Sequence, residues 1–149
     1  MPKILLLNGP NLHLLGQREP HLYAKRTLAD IENELSALAK EAGHSLGCYQ
    51  SDAEHELLHR IHGSGEDGTD LILFNPAAFT HTSVALRDGL LAIGIPFIEI
   101  HMSNPATREP FRQQSFFADI ALGVIAGFGP HSYRLAMQAA IEHLADTAG

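Results

Sequence analysis

The chain has 149 residues, which is enough to bury the core of one domain and too few for two full ones. Its hydrophobic fraction of 45% and charged fraction of 18% are typical of a globular protein and not of a disordered one. The net charge of −7 argues against general nucleic-acid binding, because phosphate contacts require a basic surface. No apolar run is long enough to cross a membrane, and the single cysteine, Cys48, excludes an internal disulfide. We therefore expect one domain over residues 1–149, a cytoplasmic location and a core position for Cys48.

Strands and helices are predicted to alternate along the chain. In chain order the apolar patterns predict a strand at 3–7, a helix at 27–42, a strand at 44–50, a helix at 53–64, a strand at 70–74, a helix at about 83–93, strands at 95–100 and 122–126, and a helix at about 131–145. Thr27 is the expected N-cap of the first helix, and Gly43 follows its end. Five strands alternating with helices imply an α/β fold with a parallel sheet covered on both faces.

Polar residues that directly follow the strands are the first candidates for a functional site. In open α/β sheets, ligands bind beyond the carboxyl ends of the strands, near the point where strand order reverses. Three such segments stand out, at residues 8–23, 75–83 and 99–112. We expect them to meet at one edge of the sheet.

The first segment contains an arginine and a tyrosine, Arg18 and Tyr23, in a long stretch before the next helix. A phenol with a pKa of about 10 is a poor base at neutral pH, but a nearby guanidinium favours the phenolate. The residues alone leave two readings open: an activated base, or a loop whose tyrosine packs on the surface.

The second segment runs from Asn75 to Ser83 and ends at the start of a predicted helix. Asn75 offers hydrogen-bond donors and an acceptor, and His81 lies just before the helix. The amides at the helix N-terminus are suited to an anionic group such as a carboxylate. The alternative is that Thr82 and Ser83 only cap the helix.

In the third segment Glu99 and His101 point to the same face of a strand, because side chains alternate along it. A carboxylate in that position can orient an imidazole for general-acid catalysis, which makes His101 the strongest acid candidate. Arg108 and Arg112 follow in a chain that is acidic overall, and they indicate an anionic, hydroxylated ligand.

A metal-protease pattern also occurs, at His55-Glu56-Leu57-Leu58-His59 on a predicted helix. A catalytic zinc ion would need a third protein ligand and an open position, and no His-x-x-Gly-x-x-His continuation follows. The helical pattern directs His55, His59 and His62 away from the apolar stripe. We expect a solvent-facing or subunit-facing surface there, with a zinc-dependent hydrolase as the alternative function.

Several motifs, in order and at matching spacing, resemble those of the type II 3-dehydroquinate dehydratases. They are Asn8-Gly-Pro-Asn-Leu12, Leu15-Gly-Gln-Arg-Glu-Pro20, Tyr23, Gln50-Ser-Asp52, the run from Asn75 to Asp88, Glu99-Ile-His-Met-Ser-Asn-Pro105 and Arg108-Glu-Pro-Phe-Arg112. The resemblance extends from the first predicted strand to about residue 134.

This resemblance implies a flavodoxin-like three-layer sandwich with a five-stranded parallel sheet, assembled as a dodecamer that is a tetramer of trimers. The implied reaction is the anti elimination of water from 3-dehydroquinate, through an enolate, to 3-dehydroshikimate in the shikimate or quinate pathway. No cofactor, metal ion, membrane or nucleic acid is expected to take part.

The resemblance also implies catalytic roles for five residues. Tyr23 corresponds to the proton acceptor, and Arg18 to the residue that holds it as phenolate and stabilises the transition state. Asn11 corresponds to the residue that, with a bound water, stabilises the developing oxyanion. His101, oriented by Glu99, corresponds to the proton donor for the departing hydroxyl.

Further residues correspond to the substrate-binding positions of the family, namely Asn75, His81, Asp88, Met102, Ser103, Arg108 and Arg112. Asn75, the Met102 amide and Ser103 would hold the substrate carboxylate. His81 and Arg112 would hold the ring hydroxyls.

Two implications of the resemblance reach beyond the pocket itself. Residues of about 16–26 correspond to a flexible active-site lid, and Asp88 to a residue that reaches a neighbouring subunit's site. The departures from the family pattern are small; for example, Ala77 stands where many members have glycine.

One other function, and one other mechanism for the same reaction, are less compatible with the sequence. A receiver-like regulatory domain of the same fold would need acidic residues where the chain has Asn8 and Asn75. The unrelated type I dehydratases use a lysine Schiff base, and no lysine is predicted at a strand end that faces the site.

Overall fold

A computed structural model describes residues 1–17 and 26–148. The strands are β1 (Lys3–Asn8), β2 (Ser45–Gln50), β3 (Leu71–Asn75), β4 (Phe97–His101) and β5 (Gly123–Ala126), and the helices are α1 (Leu28–Glu41), α2 (Glu54–Ser64), α3 (Val84–Ile93) and α4 (His131–Ala148). Every predicted element is present, with bounds that differ by at most three residues. Most of the predicted lid, including Arg18 and Tyr23, lies outside the described residues.

The five strands form one parallel sheet in the order β2-β1-β3-β4-β5. The chain moves outward from β1 to β2 and then crosses back to β3 on the other side of β1, so strand order reverses between β1 and β3. This is the flavodoxin-like order, which confirms the predicted fold class. The reversal places the expected ligand crevice beyond the carboxyl ends of β1 and β3.

Helices cover both faces of the sheet. α1 and α4 pack on one face, and α2 and α3 on the other. Within β1, Ile4 and Leu6 face the first pair of helices, whereas Leu5 and Leu7 face the second. Because both faces of the strand are buried, its sequence is a continuous apolar run. None of the described helices has both the length and the apolar character needed to cross a membrane.

Helix α1 begins at the residue predicted to cap it. The Thr27 hydroxyl accepts a hydrogen bond from the Asp30 amide, and the Asp30 carboxylate accepts one from the Thr27 amide. The Thr27 amide, assisted by the Thr27 hydroxyl, holds the pKa of the Asp30 carboxyl below its ordinary value. At the other end Gly43 has φ of +83°, a conformation that glycine adopts without strain.

The expectation that Cys48 lies in the core is wrong. It belongs to β2, which is an edge strand, and its side chain is exposed. No residue of β2 is fully buried, because only one neighbouring strand covers its flank.

Gly9 allows the chain segments after β1 and β3 to approach each other closely. Its N–H donates to the Asn75 carbonyl at 2.8 Å. A Cβ atom at position 9 would lie 2.4 Å from the carbonyl oxygen of Pro76, far inside van der Waals contact. The absence of a side chain at Gly9 therefore allows the two strand ends to lie in contact.

We expect Gly9→Ala to lower the free energy of unfolding by about 1–3 kcal/mol, because the new methyl group must displace the Pro76 backbone. Chemical denaturation measures this change. Gly47→Ala is the matched control, since nothing lies within 4 Å of a Cβ at Gly47. We expect the control to change stability by less than about 0.5 kcal/mol. Equal effects of the two substitutions would contradict the close-approach argument.

Candidate active site

A cavity of about 230 Å³ opens at the carboxyl edge of the sheet. Among its lining residues are eight that the sequence nominated, namely Asn11, Asn75, His81, His101, Met102, Ser103, Arg108 and Arg112. The remaining six lining residues are apolar and were not individually nominated: Pro10, Leu12, Leu15, Ala77, Ala78 and Pro105. The three segments that follow β1, β3 and β4 thus meet around one cavity, as the parallel topology predicts.

Glu99 and His101 form a buried pair on one face of β4. Glu99 is 1% exposed and His101 is 8% exposed. The Nε2 atom of His101 is hydrogen-bonded to the Glu99 carboxylate. Since a carboxylate accepts, Nε2 carries the proton of that bond, and Nδ1 is the ring nitrogen left to exchange a proton with a ligand. Glu99 therefore lies behind His101, where it orients the imidazole.

Ser115 supports this pair and was missed in the sequence. Its hydroxyl lies 2.8 and 2.9 Å from the two carboxylate oxygens of Glu99. The amides of Phe117 and Ala118 donate to the same hydroxyl oxygen, so its proton is directed to Glu99. A buried carboxylate needs several donors, and that need was the only signal in the sequence that another donor must exist.

The Asn75 side chain is held by two partners. Its Oδ1 accepts from the Ala77 amide at 3.1 Å, and its Nδ2 donates to the Tyr133 hydroxyl at 2.8 Å. The Tyr133 hydroxyl in turn donates to Oδ1 of Asn8 at 2.7 Å. Sequence reasoning missed Tyr133, because it lies within α4 and not in a segment that directly follows a strand.

Asn11 has φ of +70°, a left-handed conformation that asparagine tolerates better than most residues. Its N–H donates to the Asp52 carboxylate at 2.9 Å. Gln50 donates to the same carboxylate and also to the Gly9 carbonyl. The Asn11 amide, assisted by Gln50, holds the pKa of Asp52 below its ordinary value. The end of β2 thus positions the segment that follows β1.

His81 lies at the end of a short 3-10 turn, Ala77–His81, that separates β3 from α3. Its Nδ1 donates to the Gln114 carbonyl at 2.8 Å, which leaves Nε2 for a ligand. Ala77 opens this turn with φ of +52°, a left-handed conformation in which a side chain is strained.

The N-terminus of α3 does not line the cavity, contrary to the expectation that its amides would hold an anion. Ser83 instead accepts a hydrogen bond from the Leu86 amide and caps the helix. The 3-10 turn stands between the helix end and the cavity, and Asn75 and His81 supply the polar groups of this wall.

Two arginines provide the positive charge at the cavity. Arg108 donates to the Ser103 hydroxyl at 3.4 Å, and Arg112 donates through Nε to Glu109 at 3.2 Å. The backbone amide of Glu109 and the Arg112 guanidinium hold the pKa of Glu109 below its ordinary value. The guanidinium groups and the Asn75 amide can together hold an anionic, hydroxylated ligand against the imidazole of His101.

Of the nominated residues that the structure describes, Glu99 and Asp88 do not line this cavity; Glu99 lies behind His101. Asp88 is exposed on α3 and is not among the lining residues. Arg18 and Tyr23 lie outside the described residues, so their relation to the cavity stays a prediction.

The metal-protease pattern lies on α2, and its histidines are exposed. The Glu56 carboxylate accepts a hydrogen bond from the Ser51 hydroxyl just before the helix. Over residues 1–17 and 26–148, no three His, Cys, Asp or Glu side chains are grouped to hold a metal ion. A catalytic zinc site needs three such ligands.

Comparison with known sequences identifies a family. The model for "Dehydroquinase class II" matches residues 2–141. A 3-dehydroquinate dehydratase of Xanthomonas campestris pv. campestris is 61% identical over 97% of this chain and 97% of its own length. One from Stenotrophomonas maltophilia is 58% identical over 99% of this chain and 100% of its own length.

Solved structures agree with the sequence relatives. A type II dehydroquinase from Butyrivibrio crossotus has a TM-score of 0.89 and 37% identity, covering 93% of this chain and 96% of that one. The enzyme from Propionibacterium acnes has a TM-score of 0.89 and 38% identity, covering 95% and 97%. With a family match over nearly its whole length and relatives of this similarity, the chain belongs to the class II dehydroquinases.

Proposed function

We propose that this protein removes water from 3-dehydroquinate to give 3-dehydroshikimate, by anti elimination through an enolate, in the shikimate or quinate pathway. The observation that carries the proposal is the Glu99–His101 pair at the wall of a cavity rich in anion-binding groups. Membership of the class II dehydroquinases supplies the substrate.

His101 is the general acid of the proposed reaction. Because Nε2 is engaged by Glu99, the Nδ1 side of the ring serves the departing hydroxyl. The Glu99 carboxylate compensates for the positive charge of the His101 ring when that ring is protonated. Ser115 keeps the carboxylate hydrogen-bonded. The elimination then releases a water molecule from the protonated hydroxyl.

Tyr23 is the proposed base, with Arg18 beside it to favour the phenolate. The other two tyrosines are unsuited to this role. Tyr133 is fully buried, its hydroxyl is committed to Asn8 and Asn75, and burial raises its pKa. Tyr49 lies in the edge strand β2 and does not line the cavity.

The remaining polar groups of the cavity hold the substrate and the intermediate. Asn11, with a bound water, stabilises the enolate oxygen that forms when the proton leaves. Asn75, the Met102 amide and Ser103 hold the carboxylate. His81 and Arg112 hold the ring hydroxyls, and Arg108 and Arg112 add positive charge around the anionic substrate.

Purified protein supplied with 3-dehydroquinate should form the conjugated enone product, which ultraviolet absorbance detects. Activity should survive a strong chelator, because the proposed mechanism uses no metal ion. It should also survive borohydride added with substrate, because no Schiff base forms. Absence of product from the assembled protein would refute the proposed reaction, and loss of activity to the chelator would instead favour the zinc-dependent alternative.

Tyr23→Phe should lower kcat by about 10²–10⁴-fold while substrate affinity stays nearly unchanged, because the substitution removes the base but keeps the ring. Steady-state kinetics and direct binding of substrate to the slow variant measure the two quantities. Tyr49→Phe is the matched control and should behave as the unsubstituted protein. Near-normal turnover of Tyr23→Phe would refute its assignment as the base.

We also propose a homo-oligomer, a dodecamer built as a tetramer of trimers, in which Asp88 contributes to a neighbouring subunit's site. Asp88 shares one face of α3 with Val84 and Leu91, which are 55% and 54% exposed. Large apolar side chains that remain exposed beside a carboxylate are suited to contact with another subunit.

Sedimentation of the purified protein should give about twelve times the 16.2 kDa mass of the chain. Asp88→Ala should assemble but raise KM, because each site would lose a group supplied from outside its own subunit. The control is Asp146→Ala, at an exposed position near the end of α4. A monomer with full activity, or identical kinetics of the two variants, would contradict this proposal.

A further inference from the structure

We propose that Tyr133 is a positioning residue that fixes the Asn75 amide so that it presents an N–H donor, and not its carbonyl oxygen, to an oxyanion in the cavity. The inference rests on the proposed function, because it assigns Asn75 to the substrate carboxylate. It adds a residue that does not touch the substrate and that comes from the far end of the chain.

One anchor of the Asn75 amide is a backbone N–H, which identifies the oxygen end of the side chain. Its Oδ1 accepts from the Ala77 N–H, and a main-chain N–H can only donate. An amide flipped by 180° would place Nδ2 against that donor. Nδ2 therefore faces the Tyr133 hydroxyl, to which it donates one hydrogen at 2.8 Å. The described residues do not use its second hydrogen, and Asn75 lines the cavity.

The Tyr133 hydroxyl is suited to this role because it is neutral and fixed. The residue is 0% exposed, and burial raises its pKa, so the hydroxyl keeps its proton. That proton is donated to Oδ1 of Asn8 at 2.7 Å, which leaves the oxygen lone pairs for Asn75. The hydroxyl thus connects three elements, β1, β3 and α4, beneath the cavity.

Without the hydroxyl, only one anchor would hold the Asn75 side chain. One Nδ2 hydrogen would lose its acceptor in a buried place. The amide would then gain freedom to turn toward another hydrogen-bond acceptor. The donor aimed at the ligand would then be misdirected in part of the molecules. The ring of Tyr133 packs in the core beside α1 and the sheet, and phenylalanine preserves that packing.

Tyr133→Phe is the test. We expect KM for 3-dehydroquinate to rise about tenfold, as for loss of an oriented hydrogen bond to a charged group, with kcat changed less than about twofold. Tyr49→Phe is the matched control and should leave both constants unchanged. In the double variant Tyr133→Phe/Asn75→Ala, KM should equal that of Asn75→Ala alone, because Tyr133 acts through Asn75.

A purely structural role makes different predictions. A lower thermal midpoint of Tyr133→Phe with unchanged KM would overturn the inference. So would a double variant in which the KM increases of the two single substitutions multiply. A crystal structure of Tyr133→Phe is a readout that does not need turnover: the Asn75 amide should leave its position against the Ala77 N–H in part of the molecules, and a single unmoved amide would overturn the inference. Failure of the unsubstituted protein to act on 3-dehydroquinate would refute the proposed function instead.

Discussion

The parallel pairing of β1 with β3 ends in a contact between two main chains, the hydrogen bond from the Gly9 N–H to the Asn75 carbonyl. The candidate site depends on this contact. Asn8 and Asn75 are register partners at the last positions of the two strands, so their side chains are brought together beneath the cavity. Any side chain at Gly9 would push the strand ends apart, since the Pro76 carbonyl occupies the space of a Cβ. The reversal of strand order between β1 and β3 thus places the ends of these two strands beneath the cavity.

Buried polar groups form the rest of the site, and hydrogen bonds connect the Glu99 and Asn75 side chains to partners. Glu99 would be costly to bury alone, but His101 and Ser115 both bind its carboxylate. Tyr133 and Asn75 form a second connected set on the other side. Such networks orient the groups that face the ligand before it arrives, which is how preorganised sites lower the free energy of a transition state.

Much of the fold could be predicted, because each strand between helices is a short apolar run and each helix repeats its apolar residues at helical spacing. The failures have physical causes. Cys48 was expected in the core, but its strand lies at the edge of the sheet. The carboxylate-binding role expected for the start of α3 does not hold, because a 3-10 turn intervenes and Ser83 caps the helix. Neither edge position nor an intervening turn leaves a periodic signal.

The sequence by itself determined the alternation of strands and helices, hence a parallel sheet, and the three strand-end segments whose residues carry the chemistry. Its motifs also indicated the family. Only the tertiary structure decided which nitrogen of His101 faces Glu99, and that Ser115 and Tyr133 support the site. The reason is that local patterns report which face of an element is buried, whereas hydrogen-bond partners 16 and 58 residues apart meet only when the sheet and its helices have packed.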